Sequence, residues 1–471
     1  MTRKDRIIQP RSIGVSSLRK GPFYTVASVE LGNTTTKCIL VTTNLQTAEI
    51  YEIEKEVRFT RNVRPPEPEE TVFGRTIFGV DLTRESVSEM ITDILATVLK
   101  RARLDIERDL HFVVRSTGVT AGFASPAEVG VIVQALADGC LNAGVPPRKM
   151  TASLSAENLP PGLQDFTWLK KVYFDGAVAS SLPPSNTDIV ANEMEGELVT
   201  AGIKGAAKST EIDFRNPVMT LDFGTTLAGR ITDNGYPYAK TIGSFAGLAG
   251  AIPDSLVRLS GLVPEKNGSV LDIPHSGISK RIEVEGNWVH EVERLIRVER
   301  VQKTDNRFGT VPVNGRSAAE AGVLLIGVDV GTNGSKLKEL EQIGKSIVNE
   351  TGIETLLAVI DQTQANVVQR ILSIVDSEGH IFENTSLGLT GRSIITGQKP
   401  KLIVENLQLK NGELWVSSHD LIFVEDGLAM GAAVAARCMN SMGTTRNPMG
   451  GRKGDRCIMA ERMKLQKKGR G

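Results

Sequence analysis

Two stretches of this chain follow the same residue pattern and begin about 190 residues apart. Each has an apolar run that ends in an acid, a turn of glycine and hydroxyl residues, and a second apolar run, at residues 25–43 and 217–233. This pattern predicts a β-hairpin whose tip carries Gly and Thr. Because each hairpin opens one half of the chain, the sequence predicts a duplicated fold rather than a short repeat.

Predicted strands and helices alternate after both hairpins. In the first half, apolar residues recur at helical spacing over residues 85–102, and a strand is expected at 110–115. In the second half, the pattern predicts a helical segment at 242–262, a hairpin at 280–301 and a strand at 323–330. Such alternation is typical of an α/β sheet in each half.

The net charge of zero hides a separation of charge along the chain. Residues 1–22 contain six basic residues and one acid, and residues 442–471 contain nine basic residues and two acids, so the rest of the chain is acidic. The predicted domains are a basic N-terminal arm at 1–22, a first lobe at 23–216, a second lobe with insertions at 217–440 and a basic flexible tail at 441–471.

Composition excludes several classes of protein. No run of about 18 apolar residues could span a bilayer, and the basic N-terminus lacks the apolar stretch of a secretory signal. The four cysteines lie far apart without CxxC spacing, which argues against a disulfide scaffold or an iron–sulfur module within the chain. We therefore expect a cytoplasmic protein without a membrane partner.

The hairpin tips have the residues that a phosphate and magnesium site needs. Glycine lets the backbone approach closely, amide N–H groups and Thr hydroxyls donate to phosphate oxygens, and an acid holds Mg²⁺ directly or through water. One such hairpin is more often an ordinary turn, whereas two in one chain favour the site. The candidate residues are Glu30, Gly32, Asn33, Thr34, Thr35, Thr36 and Lys37 in the first hairpin and Asp222, Gly224, Thr225 and Thr226 in the second.

The pair of hairpins resembles the two phosphate motifs of the ASKHA superfamily, which contains acetate and sugar kinases, heat-shock chaperones and actin. The segment from Asn192 through Gly202, which includes Glu193, resembles the first connecting helix, and the segment around Gly427 resembles the second. The strand and turn with Gly388, Gly391 and Arg392 resemble the adenosine motif. The resemblance implies a two-lobed, actin-like fold, a duplicated ribonuclease H-like α/β architecture, with ATP and Mg²⁺ between the lobes.

The resemblance also implies roles for individual residues. Asp222 and Glu30 would hold Mg²⁺ through water, and Lys37 would neutralise the leaving phosphoryl charge. Glu193 and Glu197 lie one helical turn apart, and a role in positioning the attacking water competes evenly with a solvated helix face. Residues predicted to contact the nucleotide are Gly32, Asn33, Thr34, Thr35, Gly224, Thr225, Thr226, Gly388, Gly391, Arg392 and Gly427. Glu30 departs from the superfamily pattern, which has Asp at this position, and a non-hydrolysing scaffold or nucleotide-sensing protein therefore stays an alternative.

The string VELGNTTTKCIL, with DFGTT and DVGTNGSK further on, resembles the methanogenesis marker protein 14 family of methanogenic archaea. This resemblance implies ATP-dependent activation or assembly of a methanogenesis enzyme or its cofactor, similar to the reductive activators of corrinoid proteins. Those activators usually carry a cysteine module that this sequence lacks, so electrons would come from a partner. A small-molecule kinase is a further alternative.

A third acid–Gly–Thr string follows an apolar strand and is a secondary candidate site. Asp329, Gly331 and Thr332 precede a predicted helix, whose N-terminus could bind an anion. A capped tight turn explains the same residues equally well.

The basic ends favour a docking role with an acidic protein partner, or simple solvation. They lack interleaved aromatic residues and a recognisable binding fold, so nucleic acid is not the expected partner. The sequence leaves a homodimer open.

Overall fold

The computed structural model describes residues 7–118, 126–150, 177–179, 193–235, 239–274 and 286–442. The strands are β1 (Ile7–Ile8), β2 (Arg11–Ser12), β3 (Phe23–Leu31), β4 (Thr35–Asn44), β5 (Ile50–Phe59), β6 (Val72–Arg75), β7 (Asp81–Thr83), β8 (Phe112–Thr117), β9 (Ala177–Ala179), β10 (Val218–Phe223), β11 (Leu227–Thr232), β12 (Thr241–Gly247), β13 (Ile296–Arg300), β14 (Arg307–Phe308), β15 (Val311–Pro312), β16 (Leu324–Val330), β17 (Ser386–Thr390) and β18 (Leu421–Val424).

The helices lie mainly between and after these strands. They are α1 (Val15–Leu18), α2 (Arg84–Ala102), α3 (Pro126–Asn142), α4 (Glu193–Ala207), α5 (Ala251–Arg258), α6 (Gly286–Glu293), α7 (Gly315–Glu320), α8 (Leu337–Thr351), α9 (Ile353–Ser377), α10 (Arg392–Ile395), α11 (Lys399–Asn406), α12 (Trp415–Ser418) and α13 (Gly427–Met442).

Two large sheets share one strand order. The first sheet runs β2-β5-β4-β3-β8-β9, and the second contains β12-β11-β10-β17-β18 in its middle. In the first sheet, β3, β4 and β5 form an antiparallel meander, and β8 and β9 lie parallel to β3. In the second sheet, β10, β11 and β12 form the same meander, and β17 and β18 lie parallel to β10. This repeated order confirms the expected two-lobed α/β fold, a duplicated ribonuclease H-like architecture of the actin type.

Helices α4 and α13 lie between the two sheets and hold the lobes together. Their apolar faces share one buried cluster with residues of both sheets, including Val26, Phe112 and Val218. The helices cross so closely that a Cβ on Gly202 would lie 1.8 Å from the Gly427 carbonyl oxygen, and one on Gly431 would lie 1.6 Å from that of Leu198. Only glycine allows this crossing.

The outer faces of the two sheets have separate cores. Helices α2 and α3 cover the first sheet through apolar residues such as Ile91, Ile94 and Leu136. Helices α5, α8 and α9 cover the second sheet, with Leu256 and Val368 fully buried among them. The central strands β8, β10 and β17 are therefore buried on both faces, whereas β5 toward the edge of the first sheet is charged and half-buried.

The start of the chain belongs to both sheets. β1 pairs in parallel with β18 at the edge of the second sheet, and β2 pairs in parallel with β5 at the edge of the first. From residue 7 onward, the segment that we expected to be a basic arm therefore contains strands β1 and β2 and helix α1. The two strands form because main-chain groups at two sheet edges were available to pair with them.

Two local predictions in the second half are wrong. The segment 242–262, expected to be helical, contains strand β12 and only then helix α5. The hairpin expected at 280–301 is helix α6 followed by strand β13, in the residues that the structure describes.

Candidate functional site

The tips of the two hairpins meet at one cavity of about 100 Å³ between the lobes. The Oγ1 atoms of Thr34 and Thr225 are 2.9 Å apart, so the tips are in direct contact. The residues around the cavity are Glu30, Gly32, Asn33, Thr34, Thr35, Lys37, Gly118, Glu195, Asp222, Phe223, Gly224, Thr225, Thr226, Gly250, Asp254, Ser269, Val270, Leu271, Gly391, Arg392 and Ser393. Most of the residues predicted from the two hairpin patterns are therefore brought together.

The first tip is a tight turn closed by backbone and side-chain bonds. The Gly32 amide donates to the Thr35 carbonyl at 3.0 Å, where a Cβ on Gly32 would lie only 2.6 Å from that oxygen. The Asn33 side chain donates to the Gly118 carbonyl at 3.0 Å and accepts from the Ile77 amide at 2.9 Å. Asn33 therefore anchors the turn, so its side chain is engaged in the tip itself rather than left for a ligand.

The second tip is held by the segment that precedes α5. The Gly250 amide donates to the Gly224 carbonyl at 2.7 Å, and the amides of Ala249 and Ala251 both donate to the Thr225 carbonyl at 3.1 Å. Gly391, with φ of +95°, approaches so closely that a Cβ would lie 2.5 Å from Asp222 Oδ1. The adenosine-type turn is thus packed directly against the acid of the second hairpin.

Four charged groups concentrate beside the tips. The Lys37 ammonium lies 3.0 Å from Glu30 Oε2 and 3.9 Å from Asp426 Oδ1. Burial alone would lower the pKa of Lys37, but the carboxylates of Glu30, Asp426 and Asp222 outweigh it and hold that pKa above its usual range. Burial raises the pKa of Asp222 to about 7; Lys37 opposes this rise, and Glu30 and Asp426 add to it.

Asp426 is an acid of this group that the sequence analysis did not select. It sits directly before Gly427, has the left-handed φ of +54° and is 9% exposed. Its Oδ2 lies 3.1 Å from the Lys55 ammonium, which also contacts Glu425 at 2.8 Å. Burial would raise the pKa of Asp426, but Lys37, Lys55 and Arg392 outweigh it and hold the pKa below its usual range. Its partners Lys37 and Lys55 lie on the first sheet, more than 370 residues away in the sequence, so the local sequence offered no indication of them.

Among the described side chains of α4, the acid that faces the cavity is Glu195. Glu195 is 8% exposed and belongs to the cavity wall. Glu197 instead forms an ion pair of 3.2 Å with Arg230 on β11. The side chain of Glu193, the residue predicted from the motif, lies outside the described residues.

Two glycines predicted to contact the nucleotide have packing roles instead. A Cβ on Gly388 would lie 2.7 Å from the Phe214 ring, and one on Gly427 would lie 2.9 Å from Thr390 Oγ1. Neither is part of the cavity wall, which does contain Gly391 and Arg392. Glycine is required at both positions because neighbouring strands and helices approach too closely there for a larger residue.

The third acid–Gly–Thr string forms a self-capped turn. Asp329 accepts hydrogen bonds from the amides of Val330, Asn333 and Gly334 at 2.7, 2.7 and 2.9 Å. The amides of Asn333 and Gly334, which an anion would need, are therefore already bonded to Asp329. Neither Asp329 nor Gly331 and Thr332 belong to the wall of the cavity between the hairpins.

The donor set of the cavity fits phosphate and magnesium in a particular way. Glycine-rich tips with free space for phosphate oxygens adjoin a lysine and several carboxylates. Within the residues that the structure describes, no three His, Cys, Asp or Glu side chains converge to hold a metal by themselves. The set therefore suits an ion that brings water and phosphate oxygens as its other ligands, as Mg²⁺ does.

Residues 23–466 match a family described as an uncharacterized protein conserved in archaea (DUF2114). The chain belongs to this archaeal family. It is 53% identical over 459 residues to an uncharacterized protein of Methanothermobacter thermautotrophicus, covering 96% of this chain and 84% of that one. It is 50% identical over 458 residues to an uncharacterized protein of Methanocaldococcus jannaschii, covering 97% and 94%. The DUF2114 family is therefore present in methanogens.

Solved structures resemble this DUF2114 chain only weakly. The ethanolamine utilization protein EutJ from Carboxydothermus hydrogenoformans is 12% identical with a TM-score of 0.35, and the match covers 91% of this chain and 92% of EutJ. A reductive activator for a corrinoid, iron–sulfur protein is 10% identical with a TM-score of 0.33, covering 94% of this chain and 65% of the activator. The fold assignment therefore depends on the strand order described above.

Among the residues that the structure describes, every helix is too short or too polar to cross a lipid bilayer.

Proposed function

We propose that this protein is an ASKHA-type ATPase that binds Mg-ATP between its two lobes. The observation that carries the proposal is the contact of two acid–Gly–Thr hairpins, one from each sheet, around a single cavity. Turn amides at the two tips would donate to phosphate oxygens, and positioning and neutralising the phosphates is the main task of a protein in phosphoryl transfer. Gly391 and Arg392 place the adenosine-type turn at the same cavity.

Residues of this chain would divide the work as follows. Asp222, with Glu30, would hold Mg²⁺ through water, and the ion would offset the charge of the phosphates. Lys37, held close to Glu30, would neutralise charge that develops on the leaving group.

In hydrolysis, a water oxygen bonds to the γ-phosphorus, a proton passes from that water to a carboxylate, and ADP leaves. Glu195 is the carboxylate that we assign to this proton transfer, in place of Glu193, because it lies in the cavity wall.

The biological role that we propose is ATP-dependent activation or assembly of a methanogenesis enzyme or its cofactor in the cytoplasm. Its support is the family's presence in methanogens and the resemblance of the motifs to those of methanogenesis marker protein 14. A protein partner would receive the lobe motion, and the basic C-terminal segment is the docking element that we propose for it. If the partner requires electrons, a separate protein would supply them.

A non-hydrolysing scaffold or nucleotide sensor is the second candidate. Glu30 favours it, because this acid is one methylene longer than Asp and is already bound to Lys37 at 3.0 Å. A small-molecule kinase would additionally require an acceptor pocket, for which no residue of the cavity wall is a specific marker.

Calorimetric titration with Mg-ATP, followed by measurement of phosphate release, tests the proposal. The parent protein should bind, and Asp222→Asn should lose most of that affinity. Thr220→Val is the matched control, because Thr220 lies on the same strand, bonds Thr200 at 2.7 Å and is outside the cavity wall. Binding without phosphate release favours the sensor, and absence of binding to the parent protein contradicts both nucleotide roles.

A further inference from the structure

Asp254 is a buried acid at the cavity to which neither the sequence patterns nor the proposed reaction gives a role. It lies in the first turn of α5, is 3% exposed and forms part of the cavity wall. A buried carboxylate needs several hydrogen bonds to offset its lost hydration. The bonds that Asp254 makes connect two parts of the molecule that belong to different lobes.

The first connection reaches the first hairpin. Thr34 Oγ1 lies 3.2 Å from Asp254 Oδ2 and 2.9 Å from Thr225 Oγ1. Thr34 donates its single hydroxyl proton to Asp254 and therefore accepts from Thr225. While this arrangement holds, the Thr34 hydroxyl has no proton left to donate to a phosphate oxygen.

The second connection reaches a segment of the second lobe, residues 269–273, which we term the roof segment. Asp254 Oδ1 accepts from Ser269 Oγ at 2.7 Å and from the Val270 amide at 2.9 Å. Ser269, Val270 and Leu271 belong to the cavity wall. One carboxylate therefore holds both the first hairpin tip and the roof segment.

Contacts from the first lobe reach the same region. Arg61, which follows β5, forms a two-pronged ion pair with Asp272, with one of its bonds at 2.8 Å. The Arg258 guanidinium, one helical turn after Asp254, lies 3.7 Å from the centre of the Phe78 ring. Both contacts join the first lobe to the second, so a separation of the lobes at this point would break them.

We propose that Asp254 is a positioning residue of the phosphate site, which ties the Thr34 hydroxyl and the roof segment to one carboxylate so that both become ordered together. The proposal rests on the proposed function. It explains why an acid with no metal or substrate role is buried at the meeting point of the two hairpins. It also assigns phosphate contact at the first tip to main-chain amides rather than to the Thr34 side chain.

Hydrogen exchange of the full chain, without nucleotide, tests the connection directly. Asp254→Asn should raise exchange about ten-fold in both residues 32–36 and the roof segment, as expected when a shared hydrogen-bonding group is weakened. Asp109→Asn is the matched control, because Asp109 is also 3% exposed and accepts from a loop amide. Asp109 precedes β8, whereas the cavity lies at the other end of that strand, beside Gly118. This control variant should change neither segment.

Two further variants divide the effect. Thr34→Val should raise exchange at residues 32–36 only, and Ser269→Ala should raise it in the roof segment only. In a double-mutant cycle, Thr34→Val and Asp254→Asn should be non-additive at residues 32–36. Exchange that rises only in the roof segment of Asp254→Asn, or full additivity in the cycle, overturns the proposal.

Kinetics with Mg-ATP separates positioning from a structural effect. Asp254→Asn should raise KM about ten-fold and leave kcat within about two-fold, since the residue acts on binding by ordering the backbone of the first hairpin tip. A loss of about ten-fold in kcat would contradict a positioning role for Asp254. If the parent protein binds no Mg-ATP, the proposed function fails, and the exchange pattern alone decides whether Asp254 connects the two segments.

Discussion

Glu30 and Lys37 are direct cross-strand partners on the first hairpin, and their side chains form an ion pair of 3.0 Å at the edge of the cavity. The position of Glu30 opposite Lys37 follows from the register of β3 and β4, so the pair forms whenever the hairpin forms. Glu30, which we expect to contact the water ligands of Mg²⁺, is therefore also the main partner of Lys37, which we expect to contact phosphate.

Replacing Glu30 with Gln should separate these two roles. The pKa of Lys37 should fall toward its ordinary value, and its ammonium should become free to contact phosphate. We expect affinity for Mg-ATP to fall about ten-fold and affinity for ATP without Mg²⁺ to rise, since one negative charge leaves the site. Calorimetry with and without Mg²⁺ measures both, with Glu54→Gln on β5 as the control. Equal losses under both conditions would contradict the assignment of Glu30 to the metal.

Asp222→Asn should stabilise the protein in a pH-dependent way. A carboxyl whose pKa rises from 3.8 to about 7 on folding favours the folded state while it is protonated, and this contribution is lost as pH rises through 7. Asn stays neutral, so the free energy of unfolding of the variant relative to the parent should increase between about pH 4 and pH 7. Urea denaturation at several pH values measures this difference. A constant difference across that range would show that the Asp222 pKa is not raised.

Gly202→Ala should strongly destabilise the fold. Its Cβ would meet the Gly427 carbonyl oxygen at 1.8 Å, and neither helix backbone can move without disturbing both sheets. We expect a loss of about 2–4 kcal/mol in the free energy of unfolding. Gly205→Ala is the control on the same helix, because its Cβ would meet only the flexible end of Ile50. It should cost less than about 1 kcal/mol, and a similar loss for the two variants would argue against the tight crossing.

Removing residues 443–471 should leave nucleotide binding intact. Every residue of the cavity wall lies between Glu30 and Ser393, far from that segment in the sequence. We expect a Kd for Mg-ATP within about two-fold of the parent value. Capture of a partner, in contrast, should weaken if the basic segment docks it. Lost Mg-ATP binding would place the segment within the folded lobes.

Local patterns predicted the two hairpins and the main helices well, because each pattern depends on residues close in sequence. The acid, glycine and threonine order of each tip was enough to place Glu30, Lys37 and Asp222 at one site. The alternation of strands and helices predicted an α/β sheet in each half, whereas the strand order within each sheet comes from the structure.

Close packing explains why the prediction at 242–262 failed. Gly243 and Gly247 made the segment resemble a small-residue helix, but they lie in strand β12. A Cβ on Gly247 would meet the Val328 carbonyl oxygen at 1.9 Å, and one on Gly243 would meet Ile231 at 2.5 Å. Small residues are needed here by neighbouring strands, which the local sequence does not specify.

The acids that the sequence analysis missed have partners far along the chain. Asp254 meets Thr34 of the other lobe, and Asp426 meets Lys37 and Lys55. No spacing rule links such positions. Glu195 was not selected from the sequence because the orientation of α4, which brings it into the cavity wall, cannot be read from the motif.

The pairing of the first residues with both sheets limits how the lobes can move. Ile8 is bonded to β18 and Arg11 to β5, and only Gln9 and Pro10 separate them. Three Cα–Cα steps reach at most about 11 Å, so the two sheet edges cannot draw further apart than this while both pairings persist. Residues 8–11 therefore act as a short tether between the two sheets, and the lobes can open only by rotating about the edge where β1 and β2 pair.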